Sequence, residues 1–544
     1  MKISCYLSTG VSILALAGIA SLATSASAHP IFYPYKHGGA VRVDSNRPVH
    51  HVGAYLPPYV APSNAGSGTW TDLKASLPFT AGPWGPMLLT DGTVVVDDLC
   101  TNPGQWFRLT PDKKGSYVNG TWKKTATMPS GYSPLFYAQQ VLTDGRMIIN
   151  GGEYNTPCNG GDWTNKGALY DPVADKWSTV NPPSGWSTIG DAESIVLPNG
   201  TYMLANCCDS PGQFGLAAIS GNTVTWSTVN AEACGGNPCN DEQGLTSLPG
   251  GDVLMVDVWN HTTTSDDYDL YNPTTNTWTN AGVTSCYLSD PSHFELGPAA
   301  LRPDGNVIVF GDNGKCNAIY NSSAGTWSTT VNFPLNGYDV ADGPAAVLPD
   351  GNVLVEASPG VFNSPSHFFE FSISKKTGLG KITQVSDPTE APNTSSFEGN
   401  LLVLPTGQVL WDDSQVSPNE VAVYTPRGSA KAAWLPKIKS VSTSLSVGST
   451  GNAISGTNFN GFDLGGYYGD DGQAPSNFPI VRVTNNATGD ICYARSYSFS
   501  TMGVWTTGKT KAKFDLPSTC ETGASSLQVV VNGIASAGVA VTLS

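Results

Sequence analysis

Four carboxylates stand at matching distances before a recurring turn. Asp191 precedes Asn199-Gly200 by eight residues, Glu242 precedes Gly250-Gly251 by eight, Asp342 precedes Asp350-Gly351 by eight and Glu398 precedes Thr406-Gly407 by eight, while Glu295 stands nine before Asp304-Gly305. Their surroundings are alike, as Glu295-Leu296-Gly297-Pro298, Asp342-Gly343-Pro344 and Glu398-Gly399-Asn400 show. If the segments are related by rotation, these side chains converge on one axis. Carboxylates gathered that way cannot all remain ionised without compensation, so some must keep protons at raised pKa values or a cation must bind. Three uses are open. Each acid can cap backbone N–H groups of the adjacent segment. The group can hold a hard cation, with Ca²⁺ favoured by an all-oxygen donor set. One protonated acid and one ionised partner can also perform acid–base or nucleophilic chemistry. Asp191, Glu242, Asp342 and Glu398 are therefore the candidate catalytic or metal-ligating residues, and Glu295 is a candidate binding residue.

Other chemistry-bearing residues carry less. Asp470-Asp471-Gly472 offers two calcium-type ligands but lacks the further acids of a calcium loop, and is read as a turn. His293 and His367 both occur in Pro-Ser-His-Phe and are read as surface or packed residues. Ser/His/Asp arrangements and glycine-rich phosphate loops are absent from the sequence.

The elements that must position the acids are legible as a repeat. Seven turns recur, at Asp91-Gly92, Asp144-Gly145, Asn199-Gly200, Gly250-Gly251, Asp304-Gly305, Asp350-Gly351 and Thr406-Gly407, with spacings of 46 to 56 residues. Most are Asp-Gly or Asn-Gly, the pairs best able to take positive φ in a two-residue hairpin. Runs such as Thr93-Val94-Val95-Val96 and Val307-Ile308-Val309-Phe310 follow them and read as buried inner strands. Tyr170 with Trp177, Tyr271 with Trp278 and Tyr320 with Trp327 mark the outer half of each unit and are read as packing between units. The period is that of kelch repeats and predicts a seven-bladed β-propeller over 68–430. Trp70-Thr71-Asp72-Leu73 is an outer strand lacking its blade, and the repeat ending at Val421-Ala422-Val423-Tyr424 lacks an outer strand, so the two should pair and close the ring. From 436 to 544 the pattern gives way to short strands without the Tyr–Trp repeat, which predicts an immunoglobulin-like (early-set) β-sandwich. The fold class is all-β.

The first 28 residues, an apolar run ending in Ala26-Ser27-Ala28, read as a secretory signal peptide, and 29–67 as an extended segment. Cleavage would remove Lys2 and Cys5, taking the formal charge from −16 to −17 and leaving ten cysteines of eleven. An even cysteine count suits a secreted or periplasmic protein with disulfides. Local spacing favours Cys234–Cys239, Cys286–Cys316 and Cys492–Cys520. Cys207 and Cys208 either bond each other or reach Cys100 and Cys158. The acidic balance argues against nucleic acid and anionic membranes as partners, and after the signal no apolar run is long enough to span a bilayer.

Seven kelch units followed by Leu435-Pro436-Lys437-Ile438, Tyr468-Gly469-Asp470-Asp471 and Phe478-Pro479-Ile480-Val481 resemble the galactose oxidase and glyoxal oxidase family. That resemblance implies a copper ion and a cross-linked tyrosyl radical on the propeller axis. The positions matching the family's ligands carry other residues: Pro83 for the cross-linked Cys, Phe136 for the radical Tyr, Phe397-Glu398 for a Tyr-His pair and Tyr497 for the His of the C-terminal domain. Copper favours nitrogen donors, so this set disfavours it and leaves calcium as the cofactor to consider. The resulting expectation is a secreted, monomeric, galactose-oxidase-like propeller without copper ligands that binds carbohydrate or a surface polymer in an acidic axial pocket. Trp84 and Tyr497 are its candidate stacking residues. The alternatives are a carboxylate-dependent polysaccharide hydrolase or lyase, and a copper-radical oxidase of alcohols or aldehydes.

Overall fold

The computed structural model describes 33–35, 39–41, 68–155, 163–207, 213–230, 240–374, 376–414 and 419–544. The expected signal peptide lies outside these residues. So do Cys158, Cys208, Cys234 and Cys239.

Seven antiparallel sheets of four propeller strands follow one another around a ring. Blade one is Pro83–Leu88, Val94–Asp98, Gln105–Thr110 and Thr121–Lys124. Its innermost two strands are buried throughout, Asp97 and Asp98 included, whereas Thr121–Lys124 is largely exposed. The innermost strands of blades two to seven start at Ala138, Ser194, Thr246, Ala299, Ala345 and Gly399. The turn glycines after them, from Gly92 to Gly407, have φ between +77° and +103°, the conformation for which the Asp-Gly and Asn-Gly pairs were read.

Thr69–Asp72 pairs with Glu420–Thr425, in register Thr69↔Thr425 to Asp72↔Ala422, and supplies the fourth strand of blade seven. Trp70 anchors it, its ring centroid 4.8 Å from Phe368 and 5.0 Å from Tyr424. The expected closure is thus the one observed. Tyr–Trp pairs weld blade to blade: Trp177 lies 4.8 Å from Tyr170 and 5.4 Å from Trp106 of blade one, and Trp278 stacks 4.6 Å from Phe214 of blade three. These aromatics are core.

The C-terminal residues form a curled nine-stranded sheet running from Lys437–Val441 to Ser444–Leu445. Thr510–Asp515 alternates buried and exposed positions, so one face of the sheet is apolar. It sits on the turn end of the propeller, where Ser496, Phe499 and Met502 donate backbone hydrogen bonds to Thr90, Thr143 and Pro198 (each 3.1 Å). One strand leaves it: Gly466–Tyr467 pairs with Ala345–Val347 of blade six inside the channel.

Disulfides join Cys286 to Cys316 and Cys492 to Cys520, with Cα atoms 6.4 and 5.5 Å apart. Cys100 and Cys207 are also disulfide-bonded. Among the described residues no helix is long and apolar enough to cross a membrane.

Candidate functional site at the axis and its mouth

The acids stand where the innermost strands begin, at the end of the channel opposite the C-terminal sheet. Rotational equivalence is visible in the backbone. Phe136, Glu242 and Asp342, each eight residues before its turn, all have left-handed φ, at +52°, +67° and +52°. Such geometry is uncommon for residues with a Cβ, and its repetition around a ring marks a shared architectural rung.

Of the residues singled out in the sequence, the structure brings Glu242 and Asp342 together and adds one from the far end of the chain. A carboxylate oxygen from each of Glu242, Asp342 and Asp470 lies within 4.8 Å of the others, and all three residues are buried. Asp470 arrives on the loop 468–473, which continues the strand lying in the channel. Its fit is close: a Cβ on Gly469 would stand 2.6 Å from the Asp342 Cα and the Leu296 carbonyl oxygen, and one on Gly472 3.1 Å from the Trp84 ring. Tyr468 donates its hydroxyl proton to the Phe397 carbonyl oxygen (2.6 Å), and Gln473 Nε2 donates to the carbonyls of Tyr468 and Asp470 (both 2.9 Å). Asp470-Asp471-Gly472 is locally a turn, as expected, yet it also brings acid to the axis.

The other acids of the expected ring do different things. Glu398 accepts a hydrogen bond from Ser395 N (2.8 Å) and closes a capping box on the 3₁₀ turn Ser396–Glu398. Asp191 lies 3.2 Å from Cys207 Sγ, which is 3.0 Å from Asp241, but an oxidised sulfur offers no thiolate to a metal. Glu295 is buried beside Phe294, whose φ is +69°.

A second belt escaped sequence reasoning. Glu193, Asp97 and Asp412 are fully buried, and burial foremost drives each carboxyl well above its ordinary range. For Glu193 the charges of Asp470, Asp191 and Glu242 add to the effect. Glu193 stands six residues before its turn, the rung of Gly244, where a Cβ would meet the Gly469 carbonyl oxygen at 2.6 Å. In blade four that rung faces the inserted loop. The signal was available as Asp191-x-Glu193, two acids on one face of an entering strand.

The expected stacking residues need correction. Trp84 is fully buried, packed edge-on against Tyr137 (4.8 Å), Phe136 (5.6 Å) and Tyr468 (6.4 Å), so it presents no open face to a sugar. Tyr497 stays in the C-terminal sheet, donating to Asp515 (2.9 Å) beneath the Arg495 guanidinium, and Tyr468 is the tyrosine that reaches the axis. The mouth has a different aromatic surface. Trp259 stacks on Phe294 at 4.4 Å, His293 meets Phe362 at 6.3 Å, Phe362 meets Phe397 at 4.9 Å and Phe397 meets Phe136 at 6.4 Å. Trp259, Phe294, Phe362 and Phe397 are half-buried, and together they make an arc from blade four to blade seven. The three histidines among the described residues keep to the same end: His261 stacks on Tyr287, and His293 and His367 pair with Asp290 and Asp387 (2.9 and 2.7 Å).

No family model matches the chain. A stretch of 91 residues, 17% of the chain, is 30% identical to Kelch-like protein terF of Aspergillus terreus, and spans about a fifth (19%) of that relative. Among solved structures the chain is similar to a fungal alcohol oxidase of the AA5 family in complex with copper, at 13% identity and TM-score 0.49, over 88% of this chain and 100% of that one. It is also similar to a periplasmic gluconolactonase of Pseudomonas aeruginosa (13%, TM-score 0.39, 64% and 96%) and to an ulvan lyase of polysaccharide lyase family PL25 (11%, TM-score 0.39, 65% and 95%). At these identities the likeness is one of propeller architecture alone.

Proposed function

We propose that this chain is a secreted glycan-binding propeller, built on the galactose-oxidase-like plan but without its copper chemistry, that takes a neutral carbohydrate or surface polymer at the mouth of its axis. The observation that carries this reading is the aromatic arc Trp259–Phe294–Phe362–Phe397, in which Phe294 and Phe397 directly precede the buried acids Glu295 and Glu398. Half-buried rings offer apolar area to the C–H faces of a sugar, and carbonyl and carboxylate groups at their edge accept from its hydroxyls. The positions matching the copper-radical ligands hold Pro83, Phe136, Phe397-Glu398 and Tyr497. A hydrocarbon ring cannot become a phenoxyl radical, and the axial donors are carboxylate oxygens without imidazole, a set that does not fit copper. The closed acids, 0% exposed at Glu242 and 1% at Asp342, also sit too deep to attack a polysaccharide directly.

Disulfides at Cys286–Cys316 and Cys492–Cys520 support extracellular residence. We read the curled C-terminal sheet over 436–544 as an immunoglobulin-like sandwich seated on a propeller of 68–430, in a monomeric chain.

The test is a glycan array followed by titration of the best neutral oligosaccharide against tryptophan fluorescence. Trp259→Ala and Phe362→Ala should each weaken binding roughly tenfold, as loss of one stacked ring does. An array without a hit overturns the reading. Peroxide release from primary alcohols by copper-supplemented protein would restore the oxidase alternative.

A further inference from the structure

We infer that Glu193, Glu242, Asp342 and Asp470 enclose a calcium site that fastens the C-terminal loop into the propeller channel. Two ligand oxygens of one Ca²⁺ ion, bound at about 2.3–2.6 Å, lie at most about 5 Å apart. The oxygens of Glu242, Asp342 and Asp470 fall within 4.8 Å of one another, inside that limit, and they come from blade four, blade six and the inserted loop. The same distances do not require an ion by themselves. Glu193 supplies the independent observation: it is 0% exposed, neither of its carboxylate oxygens is hydrogen-bonded by another of the described residues, and it matches the position that in blade four, at Gly244, faces the loop. Among the described residues, the charged groups that act on it, Asp470, Asp191 and Glu242, are acids. A buried carboxylate with only acids around it needs either a proton or a cation.

The donors select the ion. All are oxygens, and the Cys207 sulfur beside Asp191 is oxidised, which disfavours zinc and copper. The ligands come from separate elements with unequal reach, a setting that suits the flexible six- to eight-fold coordination of calcium better than the strict octahedron of magnesium. Gly469 and Gly472 allow the loop to approach this closely, so ion and loop would bind as one unit. Because the site forms only when the loop is seated, the ion stabilises the joined state of propeller and C-terminal sheet by linkage. This inference stands apart from the glycan reading, since one concerns the chamber and the other the surface above it.

The full secreted chain, purified without chelator, should carry one calcium per molecule by elemental analysis. After chelator treatment, calcium at about a hundred times its Kd should raise the unfolding midpoint by roughly 3 °C or more. Asp470→Asn and Glu193→Gln should each abolish that rise, while Asp72→Asn, far away at the ring closure, should keep it. If Asp470→Asn is not secreted, Glu193→Gln and titration of calcium into stripped wild type decide. Stripped protein that ignores calcium, a rise that survives both axial substitutions, or an equal response to magnesium would each overturn the assignment. The first outcome would mean that shared protons neutralise the chamber. Glycan binding is read separately by fluorescence and is untouched by any of these results.

Discussion

Glu398 shares its spacing with Glu242 and Asp342 but spends its carboxylate on its own turn. Ser395-x-x-Glu398 is a capping box in which Oε2 accepts from Ser395 N at 2.8 Å. Glu398→Ala should therefore cost about 1 kcal/mol in urea unfolding, whereas Glu398→Gln should cost little, because an amide oxygen accepts the same bond. Equal losses in the two variants would show that the charge, not the cap, matters. The comparison also explains what the residues alone could reveal. Spacing assigns Asp191, Glu242, Asp342 and Glu398 to one rung, and of these the structure brings Glu242 and Asp342 together. Direction depends on the local backbone: Glu242 and Asp342 are left-handed, while Glu398 ends a 3₁₀ turn. Nothing in the letters Glu or Asp announces positive φ. Glu193 is legible only as the second acid of Asp191-x-Glu193, and that pair reads as a strand end until the opposing loop is known.

The element that organises the site is the loop 468–473, and its small residues are its fit. Gly469 has backbone on two sides, the Asp342 Cα and the Leu296 carbonyl oxygen, each 2.6 Å from where a Cβ would stand. Backbone cannot yield as a flexible side chain can, so Gly469→Ala should destabilise the chain by about 1–3 kcal/mol, the usual cost of overpacking. The same substitution at Gly378, which has open space around it, controls for handling but carries its own left-handed φ of +71°, so Gly508→Ala is the cleaner comparison. Matching melting temperatures for Gly469→Ala and Gly508→Ala would show that the loop is not seated as described. Elements that repeat were legible in advance. Trp70-Thr71-Asp72 could be matched to the missing strand of blade seven because six other blades display that strand. The inserted loop occurs once and has no template. Linear matching to the resembling family instead assigned the axial role of the C-terminal residues to Tyr497, which belongs to a strand of the sheet, because matching along the chain finds strands more readily than the loop that leaves them.

At the scale of the whole molecule the dominant fact is an excess of acid, with 43 Asp and Glu against 27 Lys and Arg, much of it inside. Burial pushes Asp266 up to about 6 and Asp463 to about 8. Burial also raises Glu420 to about 7, reinforced by the Asp72 carboxyl facing it across the closing strand and opposed by backbone donation from Glu390 and Thr389. These folded-state values exceed those of an unfolded carboxyl, so between them the native chain holds more protons than the unfolded one. The stabilisation is accordingly complete below about pH 4 and is lost as pH rises through 6, 7 and 8. In chelator, the unfolding midpoint should fall steadily from pH 5 to pH 8, opposite to the acid lability of proteins whose carboxylates are salt-bridged. Asp72→Asn should move the part centred near pH 7 to lower pH without abolishing it, because burial still raises Glu420 once the second acid across the seam is gone. Saturating calcium should remove only the share that the buried axial Glu193 adds to the decline, since a bound cation favours the ionised form of a carboxyl that a proton otherwise neutralises. Midpoints measured at four pH values, with and without calcium, separate these contributions. A midpoint that climbs between pH 5 and pH 8 in chelator would mean that the interior acids are ionised and compensated already, and the account of a proton- or cation-dependent core would fall with it.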